Sequence, residues 1–186
     1  MLPPLKEKYP ERRMVAVDTL AAALGEGLLV TLAARQWEAG KSLDEVAAYV
    51  EENKLHLSHL FTVDSLKYLY RGGRVSAASA VMGTLLDIKP VMHVDDLGRL
   101  IAIGKTHGVK KALQDILRRM DETIWPDPKN PVFIVHADCY DRAEYIANYV
   151  RSKYGTEEIL INSVDLVVGA HSGPGTLAVF FLADHR

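Results

Sequence analysis

The sequence has a single cysteine, Cys139, among 186 residues, so no internal disulfide can staple it. It has no apolar run approaching the roughly 20 residues that a membrane span requires. Its first residues, Met1-Leu2-Pro3-Pro4-Leu5-Lys6, carry no apolar core of the secretory kind. An excess of one charge is missing as well: 22 basic against 24 acidic residues leave a net charge of −2, which gives no electrostatic reason to expect nucleic acid or an anionic membrane as partner. Together these absences point to a cytoplasmic protein. What is present, 48% hydrophobic and 25% charged residues, is the composition of a soluble globular chain with room for one ordinary domain or two small ones.

Along the chain, Met14-Val15-Ala16-Val17 reads as a buried strand ending at Asp18-Thr19. Gly25 to Trp37 reads as a helix apolar on most sides, hence buried between layers, and Gly40 ends it. Ser42 with Glu45 makes a capping box for a second helix whose apolar face is Leu43, Val46, Ala47 and Val50. Leu55 to Val63 predicts a strand, Ser65 to Tyr70 a short helix, and Ser76 is a candidate cap for another helix running to Met82. Ile88 to Val94 and Arg99 to Ile103 flank Asp95-Asp96-Leu97-Gly98 as an antiparallel hairpin. Val109, Leu113, Ile116, Leu117, Met120 and Ile124 fall at helical spacing, and Trp125-Pro126-Asp127-Pro128 stops that helix. Val132 to His136, Glu158 to Val164 and Thr176 to Leu182 read as strands, with a helix over Asp141 to Lys153.

The loop Gly169-Ala170-His171-Ser172-Gly173-Pro174-Gly175 is the most suggestive local feature, because its glycines bring backbone N–H groups close to whatever His171 and Ser172 face. Spacing leaves open whether it holds a carboxylate or phosphate or is a tight turn. Arg71-Gly72-Gly73-Arg74 offers two guanidinium groups suited to an anion, or a solvated connection. Lys105, Lys110 and Lys111 bring positive charge to the start of a helix, against the sense of its dipole. Gly98 to Gly104 has five intervening residues where a P-loop needs four, which excludes that motif. His56 and His59 sit three apart in a strand and face opposite ways, so they make no metal site. Asp18-Thr19 suits either a ligand crevice or a turn, and Cys139 is a packed side chain rather than a nucleophile.

Taken in order, Leu69-Tyr70-Arg71-Gly72-Gly73-Arg74-Val75-Ser76, Leu85-Leu86-Asp87-Ile88-Lys89-Pro90, Gly104-Lys105, Lys110-Lys111-Ala112 and the loop from Gly169 to Gly175 resemble the DegV family. The likeness runs from about Met14, with Val17-Asp18-Thr19 and Gly25 to Val30, to the end of the sequence. It implies an α/β fold in which a shortened N-terminal parallel α/β domain, residues 1–62, precedes a C-terminal α/β domain, residues 63–186, with a mixed, partly antiparallel sheet. It also implies a function: binding a long-chain fatty acid and presenting its carboxylate to a separate fatty acid kinase, whose acyl-phosphate product feeds phospholipid synthesis.

By this resemblance the protein is an accessory binding subunit without catalytic residues, metal or cofactor, its ligand being the fatty acid. His171 and Ser172 would contact the carboxylate. Arg74, Lys105 and His107 would serve phosphoryl transfer or kinase contact, and Thr62, Leu85 and Ile88 the acyl tunnel. Two departures stand out: the family's front portion, with its Thr-Ser-Gln-like and Ser-Gly-Thr segments, has no counterpart, and His107 occupies the place of a usual arginine. The rival readings are a stand-alone phosphotransferase or hydrolase using His171 with Asp18, and a non-binding remnant.

Overall fold

The computed structural model describes residues 2–76 and 87–186. A mixed six-stranded sheet organises them, with strands β1 (Leu57–Thr62), β2 (Ile88–Val94), β3 (Leu100–His107), β4 (Val132–His136), β5 (Ile159–Ser163) and β6 (Leu177–Leu182) in the order β3-β2-β1-β6-β4-β5. Only β4 and β5 run parallel; the other four pairings are antiparallel. The helices are α1 (Leu2–Lys8), α2 (Leu24–Glu38), α3 (Leu43–Asn53), α4 (Lys67–Arg71), α5 (Val109–Thr123), α6 (Tyr140–Tyr154) and α7 (Leu166–Ser172). The expected α/β fold with a mixed, partly antiparallel sheet is what these elements form.

The central strands of the sheet are buried on both faces, which is why Leu177-Ala178-Val179-Phe180-Phe181-Leu182 is apolar throughout rather than alternating. Its side chains still alternate in space. Leu177, Val179 and Phe181 join Ile116 and Met120 of α5 and Ile146 and Val150 of α6 in one core. Ala178, Phe180 and Leu182 join Leu28, Leu29 and Leu32 of α2 and Val50 of α3 in the other. The capping box of α3 forms as the spacing predicts, with Ser42 Oγ accepting from Glu45 N and Glu45 Oε2 accepting from Ser42 N at 2.8 Å.

Three expectations are corrected. Met14 to Val17 forms no strand: the segment is partly exposed coil, and the hydrogen bonds that Arg186 donates fall beyond it, on the carbonyls of Thr19 and Leu20, with positive φ at Leu20 and Ala23. Four apolar residues without a strand to pair with gain nothing from extension. Helix α2 is not sandwiched between layers, for Val30 is 61% exposed and Trp37 66%. The boundary expected after residue 62 falls at the end of β1, which lies between β2 and β6 in the sheet. The stretch from Gly169 is not loop throughout, since α7 continues to Ser172, its first turn held by Asp165 Oδ1 accepting from Val167 N and Val168 N. The helix expected from Ser76 to Met82 lies almost wholly outside the described residues.

Candidate functional site

The two glycine-containing motifs, about a hundred residues apart in sequence, meet in space. Helix α4 packs on α7, and the imidazole of His171 lies so close to Gly72 that a Cβ there would come within 2.2 Å of Nδ1. Gly72 has ordinary helical dihedrals, so the glycine is required for room and not for conformation. On the other side, Gly173 takes φ +78 and any Cβ would strike the Tyr68 ring at 2.3 Å. Each motif thus supplies the backbone surface against which the other's side chain rests.

An ion cluster pins this corner to the sheet. Arg142 donates to Asp64 at 3.1 and 3.3 Å and to the Gly175 carbonyl at 3.1 Å, while Lys89 stands 3.2 Å from Asp64 Oδ1. Partial burial would raise the Asp64 carboxyl, but hydrogen bonds from Arg142 and Lys89 hold it below the usual carboxylate range. The segment after β1 and the turn before β6 are thereby fixed relative to each other.

Beside the corner is a cavity of about 300 Å³ on the α2 side of the sheet. His171, Ser172, Thr176 and Arg74 reach it, while Phe61, Leu69, Val94, Val135, Ala178 and Phe180 make it mostly apolar. Ser172 is 5% exposed and its Oγ has no hydrogen-bond partner among the described residues, which leaves the hydroxyl available to a ligand. Thr176 Oγ1 is engaged, donating to the Gly173 carbonyl at 2.7 Å. Arg74 donates to the Gly72 carbonyl at 2.6 Å and is otherwise exposed. At the rim, Val167 lines the cavity although 69% exposed, next to Leu166 at 92%.

The structure brings His171, Ser172 and Arg74 together and leaves the other sequence-derived candidates elsewhere. Lys105 and His107 lie exposed on edge strand β3, His107 Nδ1 being 3.9 Å from Asp87 Oδ2. Thr62 is buried but does not line the cavity: it alternates with Phe61 along β1, and its hydroxyl donates to the Pro90 carbonyl at 2.7 Å. Strand alternation thus turns Thr62 to the face opposite Phe61. Ile88, half-buried at the start of β2, also lies outside the lining. Leu85 falls outside the described residues.

Asp18 is exposed, accepts from Leu20 N in a turn and is absent from the cavity, so no pair with His171 forms there. Cys139 donates to the Thr176 carbonyl at 3.3 Å, and burial pushes its thiol up, which suits packing and not nucleophilic chemistry. Among the described residues no cluster of three or more His, Cys, Asp or Glu could hold a metal, and no helix is long and apolar enough to cross a membrane.

One residue that reading the sequence for ligands passed over is His59. It lines the cavity, is 2% exposed, and among the described residues neither ring nitrogen makes a hydrogen bond of ordinary geometry. Burial, reinforced by the charge of Arg186, pulls its imidazole down to about 3, so it is neutral near pH 7. The available signal was a histidine at the centre of a short strand flanked by Leu57, Leu60 and Phe61.

The family model described as "uncharacterised protein, DegV family" matches residues 4–184. The chain belongs to the DegV family. A DegV domain-containing protein of Clostridium perfringens is 48% identical over 182 residues, covering 98% of this chain and 62% of that one. The chain thus spans about three-fifths of the curated DegV relatives it matches. Among solved structures, the DegV protein of Thermus thermophilus, described by its fatty acid binding, superposes with a TM-score of 0.84 at 32% identity, covering 97% of this chain and 64% of that one. The fatty acid kinase (Fak) B3 protein of Streptococcus pneumoniae, loaded with linoleic acid, matches with a TM-score of 0.87 at 20% identity, over 96% of this chain and 63% of that one. At that identity the likeness is one of fold.

Proposed function

We propose that this DegV chain binds a long-chain fatty acid, laying the acyl chain along the cavity on the α2 side of the sheet with its carboxylate at His171 and Ser172. The observation that carries this reading is the division of the cavity into an apolar length and a polar corner where an unpaired buried hydroxyl meets an imidazole. The related Thermus thermophilus protein, described by its fatty acid binding, supports the same ligand class.

The energetics are favourable. About a dozen methylenes leaving water gain on the order of 10 kcal/mol gross at ~0.8 kcal/mol each, so the polar corner has mainly to compensate the carboxylate for lost hydration. Ser172 Oγ–H and the imidazole of His171 supply donors, and Arg74 beside them adds positive charge. In this reading the chain is an accessory subunit and not itself an enzyme: it offers the carboxyl group to a separate kinase, and the acyl phosphate goes to phospholipid synthesis. Arg74 would steady charge during phosphoryl transfer. Lys105 and His107, exposed on the edge strand, would serve as contacts for that kinase.

Native mass spectrometry of the purified chain with added octadecanoic or octadecenoic acid tests the binding step. The expected result is a one-to-one adduct that is lost in His171→Ala. A folded chain that carries no acid would contradict it.

A further inference from the structure

His171 and Ser172 account for the carboxylate, but not for the other polar side chain enclosed in the same cavity. By distance and angle neither nitrogen of His59 makes a hydrogen bond among the described residues, the Leu57 backbone being the one polar neighbour close enough to favour its protonated form. Its surroundings are apolar or backbone: the Phe180 ring meets it edge-on with centroids 5.3 Å apart, and α2 closes over it at Gly25, where a Cβ would lie 2.4 Å from Nε2. Buried polar groups are ordinarily hydrogen-bonded, and a strand position that needed only to pack would be served by an aliphatic residue.

A trapped water is a poor substitute, because it needs two to four polar partners. Register carries Val94 to the level of His59, one step beyond the Leu60–His93 pair, and Val94 pairs in turn with Leu100. Those two residues and Phe180 line the cavity and offer water no side-chain hydrogen bond. An oxygen carried on the ligand itself needs only the imidazole. In its neutral form the ring has one N–H donor and one acceptor nitrogen, enough for a hydroxyl or a keto group.

The strand registers also say how far along a bound chain that oxygen would sit. Thr176, at the polar corner, immediately precedes β6, and His59 pairs with Phe180. Four residue steps from Thr176 to Phe180 span roughly 13 Å of strand. An extended chain advances about 3.5 Å over three bonds, so the level of His59 is reached about eleven bonds from the carboxylate end.

We propose that His59 is a specificity residue that hydrogen-bonds an oxygen function at about the tenth to twelfth carbon of the acyl chain, so that the cavity selects mid-chain hydroxy or keto fatty acids over plain ones. The inference rests on reading the cavity as a fatty acid site. A pocket built to hydrogen-bond a hydroxyl discriminates against the analogue that lacks it, because the protein's own polar group is then left unpaired.

The test compares octadecanoic acid with its 2-hydroxy, 10-hydroxy and 12-hydroxy derivatives by displacement of a fluorescent fatty acid, on the wild-type chain, His59→Leu and His59→Gln. The 10- or 12-hydroxy acid should bind roughly 5–10-fold more tightly than octadecanoic acid, the gain of about one hydrogen bond, and the 2-hydroxy acid should show no such gain. The mid-chain preference should vanish or reverse in His59→Leu and return partially in His59→Gln. Equal affinity for plain and mid-chain hydroxy acids in the wild type, or a preference that survives His59→Leu, would overturn the proposal while leaving fatty acid binding intact. Binding of none of the acids by the folded wild-type chain would overturn the fatty acid reading and this inference with it. Should His59→Leu fail to fold, the positional series on the wild type decides alone.

Discussion

The two faces of the sheet use the same strands for different ends. Toward α5 and α6, strand β6 presents Leu177, Val179 and Phe181, with Thr62 donating to the Pro90 carbonyl and Cys139 to the Thr176 carbonyl; a cavity of about 250 Å³ farther along this face is lined by Ser58, Leu60 and Arg119. Toward α2, the same strand presents Ala178, Phe180 and Leu182 beside a mostly apolar cavity of about 300 Å³. What sets the α2 side apart is that the buried side chains of His59 and Ser172 make no well-formed hydrogen bond among the described residues.

The largest way to break that comparison is volume. Phe181→Ala removes a ring that is fully buried on the α5/α6 side, and should cost about 3–5 kcal/mol in urea unfolding. Phe180→Ala, whose ring already borders a cavity, should cost clearly less, since some of its surroundings are already unpacked. Equal losses at the two positions would mean that the faces are not packed differently.

Protonation sharpens the same contrast. Burial holds the His59 imidazole at about 3 in the folded chain, against 6.5 for an unperturbed histidine. The folded value is the lower one, so between those two pH values the unfolded chain takes up a proton that the folded chain refuses. Stability is therefore lost as the pH falls from 6.5 toward 3, by about 1.4 kcal/mol per unit at full slope. Between pH 6.5 and 5 the wild type should lose roughly 1.5 kcal/mol more than His59→Leu, read from urea midpoints at each pH. Parallel pH profiles would show that His59 is not buried in the neutral form.

The smallest effect on folding tests the corner where the motifs meet. The helical dihedrals of Gly72 accept alanine but the space does not, so Gly72→Ala should cost about 1 kcal/mol as the half-buried His171 ring gives way. Its Cβ displaces the His171 ring, and fatty acid affinity should fall by about tenfold. Unaltered affinity would place the carboxylate away from His171.

Much of the fold was legible because the local signals were strong. The capping box at Ser42, the periodicity of Val109 to Met120 and the strand Val132 to His136 each carry their cause in a few residues. The meeting of Gly72 with His171 was not, since it depends on α4 and α7 packing across a hundred residues of chain. His171, Ser172 and Arg74 were singled out through the family's motifs, and their roles are proposals. Which face Thr62 takes was not legible, because a strand buried on both faces gives no polar alternation to say which residues look which way. The same ambiguity hid His59, which reads in sequence as one histidine of an unpromising metal pair and becomes conspicuous only when its nitrogens are found without partners.

If the cavity holds an acyl chain with its carboxylate at the His171–Ser172 corner, NMR with a fatty acid ¹³C-labelled at the carboxyl carbon should show a distinct bound carboxyl resonance, in contact with the His171 ring and lost in His171→Ala. A bound resonance that ignores that substitution, or no bound resonance with the folded chain, would contradict it.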